Sequence, residues 1–441
     1  MNRSTESDAK TARVAAAKTG GFHVTYGNAN PWQTRYRRWE NGSFIRDVTI
    51  KTVFAPNGDI AEAGNGDIHV VWEDWDGTEQ IGWAKSTDGG LTFAVRDATA
   101  YGNSPDGQAK HPGVAAWGAD NGANMMMSSW NADSKQMFYN TLTNAANPAV
   151  GNTYTGFNGD NQYAVNGMCR SLQDGTIYRL LSRSIGGVIS VVMRRFNGSS
   201  WDPEVVVASC GFFARESIAV NPVGQIMTSW EQDNHLFTRL YTPGTGWAAI
   251  TDMGEAHFGW VTAVPTTNDF YMTYANGAQN NCYGRRWSNG WFPAEDIAIG
   301  IPDGFTPDTH CAAGPDGTIY AVWEYWGAGN GQWSDKPQQW FNVLPGVSGS
   351  RGTLSGVVID QYGAGVPGAT VASGAFATIA GTNGAYSLNL PTGTQSTSAT
   401  KQYYTSQTIN VSITQNQTTI QNFTIQANPP SPVSAFVVTP S

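Results

Sequence analysis

One pattern of polar and apolar positions returns along residues 11–345. A Gly or Asn is followed two residues later by an apolar side chain and six residues later by a Trp or Tyr. The copies are Gly20-Phe22-Tyr26, Gly66-Ile68-Trp72, Asn124-Met126-Trp130, Gly175-Ile177-Leu181 (Leu replacing the aromatic), Gly224-Ile226-Trp230, Asn268-Phe270-Tyr274 and Gly317-Ile319-Trp323. Offsets of two and six share one face of a β-strand, so each copy predicts a strand that leaves a tight turn and buries one side. A short apolar run precedes each turn, as in Ile218-Ala219-Val220 and Cys311-Ala312-Ala313. A third strand and a hairpin follow in most copies, as in Arg38-Trp39-Glu40-Asn41-Gly42-Ser43-Phe44, Arg195 to Trp201 and Arg286 to Trp291, with a looser version from Arg239 to Trp247.

Successive anchors lie 44 to 58 residues apart. Four short strands per repeat of that length predict the blades of a β-propeller. The expected fold is therefore all-β: a seven-bladed β-propeller over about residues 11–345, with six or eight blades left open because end repeats are hardest to delimit. Residues 346–350 read as a linker and 351–426 as a C-terminal β-sandwich. Residues 1–10 read as a polar tail, and 427–441 as a Pro-rich spacer that opens a further module.

Two stretches carry family resemblances. Ser86-Thr87-Asp88-Gly89-Gly90-Leu91-Thr92-Phe93 has the spacing Ser-x-Asp-x-Gly-x-Thr-Phe and resembles the Asp-box (BNR) hairpin of sialidase-like propellers. Its physics is local: Asp88 accepts N–H groups of its own turn, Gly90 takes positive φ and Phe93 packs the returning strand. It is a structural turn rather than a chemical site. Thr353-Leu354-Ser355-Gly356-Val357-Val358, Val366-Pro367-Gly368-Ala369-Thr370-Val371 and Thr382-Asn383-Gly384-Ala385-Tyr386-Ser387-Leu388 resemble the carboxypeptidase regulatory-like domain, a transthyretin-like sandwich common in extracellular bacterial proteins. Tyr386 and Leu388 would share its core face.

Composition narrows the partners. Charged residues make up only 13% of the 441, while Gly (51), Trp (17) and Tyr (17) are abundant, and the net charge is −9. Low charge with many aromatics suits a surface that stacks sugars. The absence of a basic run argues against nucleic acid. No stretch of 18 apolar residues predicts a membrane span. The opening MNRSTESDAK lacks an apolar signal core, so a secreted chain would have a leader missing from this sequence. Four scattered cysteines, Cys169, Cys210, Cys282 and Cys311, form no disulfide framework, leaving free thiols or one or two bridges open.

In propellers the mouth lies where innermost strands begin and second strands end. By that resemblance the mouth collects His111, Arg215, His257 and His310 with Glu73, Glu231 and Glu324, ringed by Trp75, Trp260 and Trp326. A His beside carboxylates in a partly dry funnel is suited to proton transfer; the alternative is that these histidines cap strands at the rim. A metal needs at least three convergent ligands, and neither a metal nor another cofactor is expected. The repeat aromatics, Tyr274 among them, read first as packing residues.

True sialidases use three arginines and a Tyr–Glu pair. Here the corresponding positions offer only Arg170 and Arg215, and the Arg-Ile-Pro signature is missing. Similarity to propeller polysaccharide lyases implies His257 or His111 as base, Tyr274 (or Tyr26) as acid and Arg215 against a uronate carboxylate, with Glu231 and Glu73 orienting hydroxyls or serving as acids. Trp75, Trp260, Trp326, His310 and Glu324 would contact the ligand. The expectation is a secreted or cell-surface protein, of bacterial type, that binds and in its enzymatic version cleaves a polysaccharide or glycoconjugate. A non-catalytic lectin, adhesin or assembly subunit is the alternative.

Overall fold

The computed structural model describes residues 2–3, 9–29, 31–52, 58–74, 80–97, 109–118, 125–131, 136–142, 152–154, 167–185, 187–210, 216–298, 308–325, 338–344, 351–373, 376–414 and 417–428. These divide into two compact units, 1–348 and 349–441. Every regular element among them is a strand.

The first unit is a succession of antiparallel sheets whose strands follow one another in the chain. The first sheet holds Ala9–Ala16, Phe22–Ala29, Trp32–Glu40 and Ser43–Lys51; the second Gly58–Glu62, Ile68–Asp74, Gln80–Ser86 and Ala94–Asp97. The third comprises Ala109–Ala116, Met125–Asn131, Gln136–Thr141 and Asn152–Tyr154; the fourth Gly167–Arg170, Ile177–Ile185, Val188–Phe196 and Val205–Cys210. The fifth (Ser217–Val220, Ile226–Gln232, His235–Thr242) and sixth (Phe270–Asn276, Cys282–Trp287, Glu295–Asp296) are fused through Thr251–Ala263, which ends one ladder and begins the next. The last sheet, Thr309–Ala313, Ile319–Tyr325 and Gln338–Leu344, takes its fourth strand from the N-terminus, where Asn2 lies opposite Phe341. Residues 1–10 were expected as a tail; they supply instead this strand and the start of Ala9–Ala16, because the outer edge of the last sheet offers them unpaired backbone groups.

In six of the seven copies the second strand starts where the repeat predicts: Phe22, Ile68, Ile177, Ile226, Phe270 and Ile319 are first residues, and all are buried; in the third copy it starts at Met125, one residue before the predicted Met126. The repeat aromatics Tyr26, Trp72, Trp230, Tyr274 and Trp323 are buried too. Alternation along a strand sends successive residues into different cores. Ile68, Val70 and Trp72 pack with Tyr36 and Ile50 of the first sheet, while Val71 packs with Val114 and Met125 of the third. A strand buried on both faces needs a near-continuous apolar run; Ile-His-Val-Val-Trp supplies one, its single polar member, the buried His69, accepting the Trp83 indole N–H (3.2 Å). Such cores fill each successive boundary, including that between the last sheet and the first, where Tyr320, Val322 and Phe341 meet Val14, Phe22 and Val24. The first strand of each sheet lies beside the first strand of the next, and Thr309–Ala313 lies beside Ala9–Ala16.

The Ser86–Phe93 turn has the expected local geometry. Asp88 accepts the N–H groups of Leu91 and Thr92 (3.0 Å each) and the Thr92 hydroxyl (2.6 Å). These bonds hold its carboxyl well below the usual carboxylate range. Gly90 sits at φ +84°, and a Cβ there would strike the Tyr36 ring; Phe93 packs on that ring at 4.9 Å.

The second unit pairs Arg351–Ile359 with Ala385–Pro391 in one sheet and orders Phe376–Ile379, Thr370–Ser373, Gly393–Thr400 and Gln407–Ile413 in another. Leu354, Val371, Tyr386, Leu388 and Phe423 fill its core, and the Tyr386 hydroxyl donates to the Gln421 carbonyl.

Candidate functional site

The edge where first strands begin and second strands end is built around backbone irregularities. In three first strands the pairing register shifts: between Lys10 and Arg13, between Lys110 and Gly113, and between His257 and Trp260. Such bulges re-aim side chains and free an N–H from the ladder. Thr11 (φ +45°) and Phe258 (φ +56°) sit at two of them in the left-handed region that non-glycine residues avoid. The surroundings hold them there. Glu324 Oε2 accepts the Thr11 N–H (3.3 Å) and Glu231 Oε2 accepts the Phe258 N–H (3.2 Å), in each case from the preceding sheet. Both carboxylates follow a repeat Trp directly, as does Glu73, which is 1% exposed in the second sheet.

A second set of bonds crosses the same boundaries one level deeper. The Val14 N–H donates to His310 Nδ1 (3.4 Å), the Val114 N–H to Asp59 Oδ2 (2.9 Å) and the Val261 N–H to Ser217 Oγ (3.0 Å). His310, Asp59 and Ser217, with Arg13 and Trp260, occupy one register level, each pairing three residues beyond the first residue of its second strand. Around that level Arg13 pairs with Asp308 (2.6 Å) and lies 5.7 Å over the Trp260 ring, which packs on His310 at 3.9 Å. Burial pushes the Asp59 carboxyl up to about 6. Burial, with Arg13 nearby as the smaller cause, pushes His310 well below its usual 6.5.

The two described histidines of this edge differ in proton placement. His257 Nδ1 lies 2.7 Å from Glu231 Oε1. A carboxylate only accepts, so Nδ1 carries the hydrogen and Nε2 presents its lone pair. His310 Nδ1 accepts an N–H, so its hydrogen is on Nε2, inside the protein.

Of the sequence-predicted residues, His257, Glu231, Trp260, His310 and Glu324 thus share one edge of neighbouring sheets. Tyr274 is 9% exposed in the core between the fifth and sixth sheets with Leu236, Ala256 and Met272; it stacks on Tyr283 at 6.0 Å, and burial pushes its hydroxyl up to about 12. That is the packing role of the other repeat aromatics. Arg215, Trp75 and Trp326, and the side chain of His111, lie outside the described residues. Asp59, Arg13, Ser217 and Asp308 were not singled out; aligning the repeats on the second-strand start and reading back along the first strand brings the first three together. Glu216, immediately before Ser217, is 1% exposed, and burial pushes it up to about 8. Among the described residues no three His, Cys, Asp or Glu side chains are grouped to hold a metal. The four cysteines are free thiols.

Residues 353–426 match the family model of the carboxypeptidase regulatory-like domain. No curated protein sequence matches the chain. Among solved structures, the chain is similar to a polysaccharide lyase, Uly1 (10% identity, 77% of this chain and 90% of that one, TM-score 0.47). It is also similar to the Aleuria aurantia lectin, a six-bladed β-propeller described by its fucose recognition (15%, 68% and 98%, 0.46). A third likeness is to the Trypanosoma rangeli sialidase (12%, 69% and 56%, 0.46). At these scores the likenesses assign neither ligand nor chemistry to this chain.

Proposed function

We propose that residues 11–345 form a seven-bladed β-propeller, joined through 346–350 to the sandwich at 351–426. On this reading the edge described above is the mouth, where an extracellular polysaccharide binds and is cleaved by elimination. The ring closure is supported by first strands that pack in sequence and return to the starting one.

The observation that carries the chemistry is the His257–Glu231 bond at 2.7 Å. Glu231 fixes the imidazole with Nδ1 protonated and stabilises the cation formed when Nε2 takes a proton. Nε2 removes the proton next to the uronate carboxylate, whose charge Arg215 meets. The electron pair forms the ring double bond, the C–O bond to the next sugar breaks and the departing oxygen is protonated. His111 is the proposed partner for that last transfer; Tyr26, buried like Tyr274 in a core between sheets, is not. Trp75, Trp260 and Trp326 would line the sugar path.

A second reading, glycan binding without cleavage, is favoured by a specific observation: Glu324 and His310 are committed to backbone N–H groups rather than aimed at a ligand. Incubation with uronate-containing polysaccharides, following ultraviolet absorbance of the unsaturated product, separates the two. Product formation abolished by His257→Gln supports elimination. Binding of the same polysaccharides with no product from any of them supports the lectin reading.

A further inference from the structure

The opposite edge of the same sheets, where second strands begin and third strands end, carries an open groove at the boundary between the fifth and sixth sheets. Its volume is about 440 Å³, in the range of small-ligand sites. Gln225, Thr242, Asn268, Asp269, Trp287 and Asn289 are among its walls.

Four other boundaries are bridged at this edge by long side chains. Between the first and second sheets Lys18 reaches the Gly64 carbonyl (2.7 Å). Between the third and fourth, Arg170 donates to the Gly118 carbonyl (2.9 Å). Between the fourth and fifth, Gln173 lies directly against Gly224, and between the last and first the Tyr320 hydroxyl accepts the Gly21 N–H (3.0 Å). At the fifth–sixth boundary the crossing is made by a short residue, with Asn221 Nδ2 donating to the Asn268 carbonyl (2.7 Å). The space a long side chain takes elsewhere is left free.

The groove is preorganised and electrically neutral. Trp287, half-buried, is braced by Phe270 at 5.7 Å and leaves part of its indole in the wall. Asn221 Nδ2 also fixes Gln225 Oε1 (2.9 Å). The one carboxylate, Asp269, is taken up by Arg286 and by the Thr267 hydroxyl (2.9 Å). An aromatic surface with amides and a hydroxyl around it matches a ring that is apolar on its C–H face and polar at its edge. Among the described residues that line the groove, neither a cation nor an unpaired anion meets a charged ligand.

We infer that this groove is a second carbohydrate site, specific for an uncharged pyranose, on the face opposite the His257 edge. It serves to hold a neutral glycan, independently of any cleavage.

The test uses the full chain and saturation-transfer NMR with methyl glycosides of glucose, galactose, mannose, fucose and N-acetylglucosamine, alongside glucuronate and sialic acid. At least one neutral glycoside is expected to bind, and Trp287→Ala to weaken it at least about tenfold. Asn268→Ala keeps the carbonyl that Asn221 uses and is expected to weaken binding severalfold, so it carries the test should Trp287→Ala fail to fold. No binding of any neutral glycoside, unchanged affinity in Asn268→Ala and folded Trp287→Ala, or binding confined to the acidic sugars would each overturn the assignment. Binding here is read by NMR and elimination by product absorbance, so either can fail alone.

Discussion

The boundary between the fifth and sixth sheets and the boundary between the last and first place their Glu residues alike and differ in what their histidines bond. In each, a Glu after a repeat Trp accepts the N–H of a bulged, left-handed residue in the next sheet. A histidine belongs to each boundary: His257 is bonded to Glu231, and His310 pairs with Val322 on the strand that carries Glu324. At the first boundary the imidazole gives its Nδ1 hydrogen to the same Glu. At the second it stands one level deeper and accepts a backbone N–H at Nδ1, and its buried Nε2 has no hydrogen-bond partner among the described residues. The two Glu positions therefore share a structural duty, while the two histidines stand at different register levels and bond different partners through Nδ1.

The sharpest break would come from activity. His257→Gln is expected to lower polysaccharide turnover by about 10²–10⁴-fold, as for loss of a general base, whereas His310→Gln keeps an acceptor for Val14 and keeps turnover within severalfold. Initial rates of product absorbance check this, and the reverse pattern would dissolve the contrast.

Next in size is stability. Glu231→Ala and Glu324→Ala each leave a bulge N–H without its acceptor, expected to cost about 1–3 kcal/mol by denaturant midpoint. Near-equal losses support a shared structural duty; a loss at Glu324 alone would show that Glu231 serves only the histidine.

A smaller effect separates the boundaries by pH. His310 has its folded pKa depressed below 6.5. Below pH 6.5 the unfolded chain takes up a proton that the folded chain refuses, so this contribution is full above 6.5 and is lost as pH falls. His310→Gln should flatten that part of the stability curve. The smallest expected effect has the opposite sign. Glu216, raised to about 8, stays protonated when folded. Its contribution is full below its usual 4.5 and is lost as pH rises through 8; Glu216→Gln should remove the decline, seen as a smaller fall in melting temperature between pH 5 and 8.

Much of this architecture was legible in the chain. The Gly/Asn–apolar–aromatic spacing marks where second strands start because a tight turn and a two-sided core constrain residue type strongly. The Ser86–Phe93 turn and the Tyr386–Leu388 core face were legible for the same reason: their causes lie within a few residues. The bulges at Thr11 and Phe258 were not, since neither residue favours left-handed backbone and the cause, a carboxylate on another sheet, lies 313 and 27 residues away in the chain. For that reason the sequence points to Glu324 only as a ligand contact, and the backbone N–H it accepts is added by the structure. The N-terminal strand was missed because a polar decapeptide has no pattern of its own and is ordered by the edge it completes. Arg13, Asp59 and Ser217 share a level only through sheet register, which single-strand reading does not reveal.

The central claim is the division of labour between two imidazoles, and nitrogen-15 NMR of the ring nitrogens near pH 7.5 tests it most directly. His257 is expected to carry its hydrogen on Nδ1, with an unprotonated Nε2, and His310 to carry its hydrogen on Nε2. Nε2–H on His257, or Nδ1–H on His310, would contradict it.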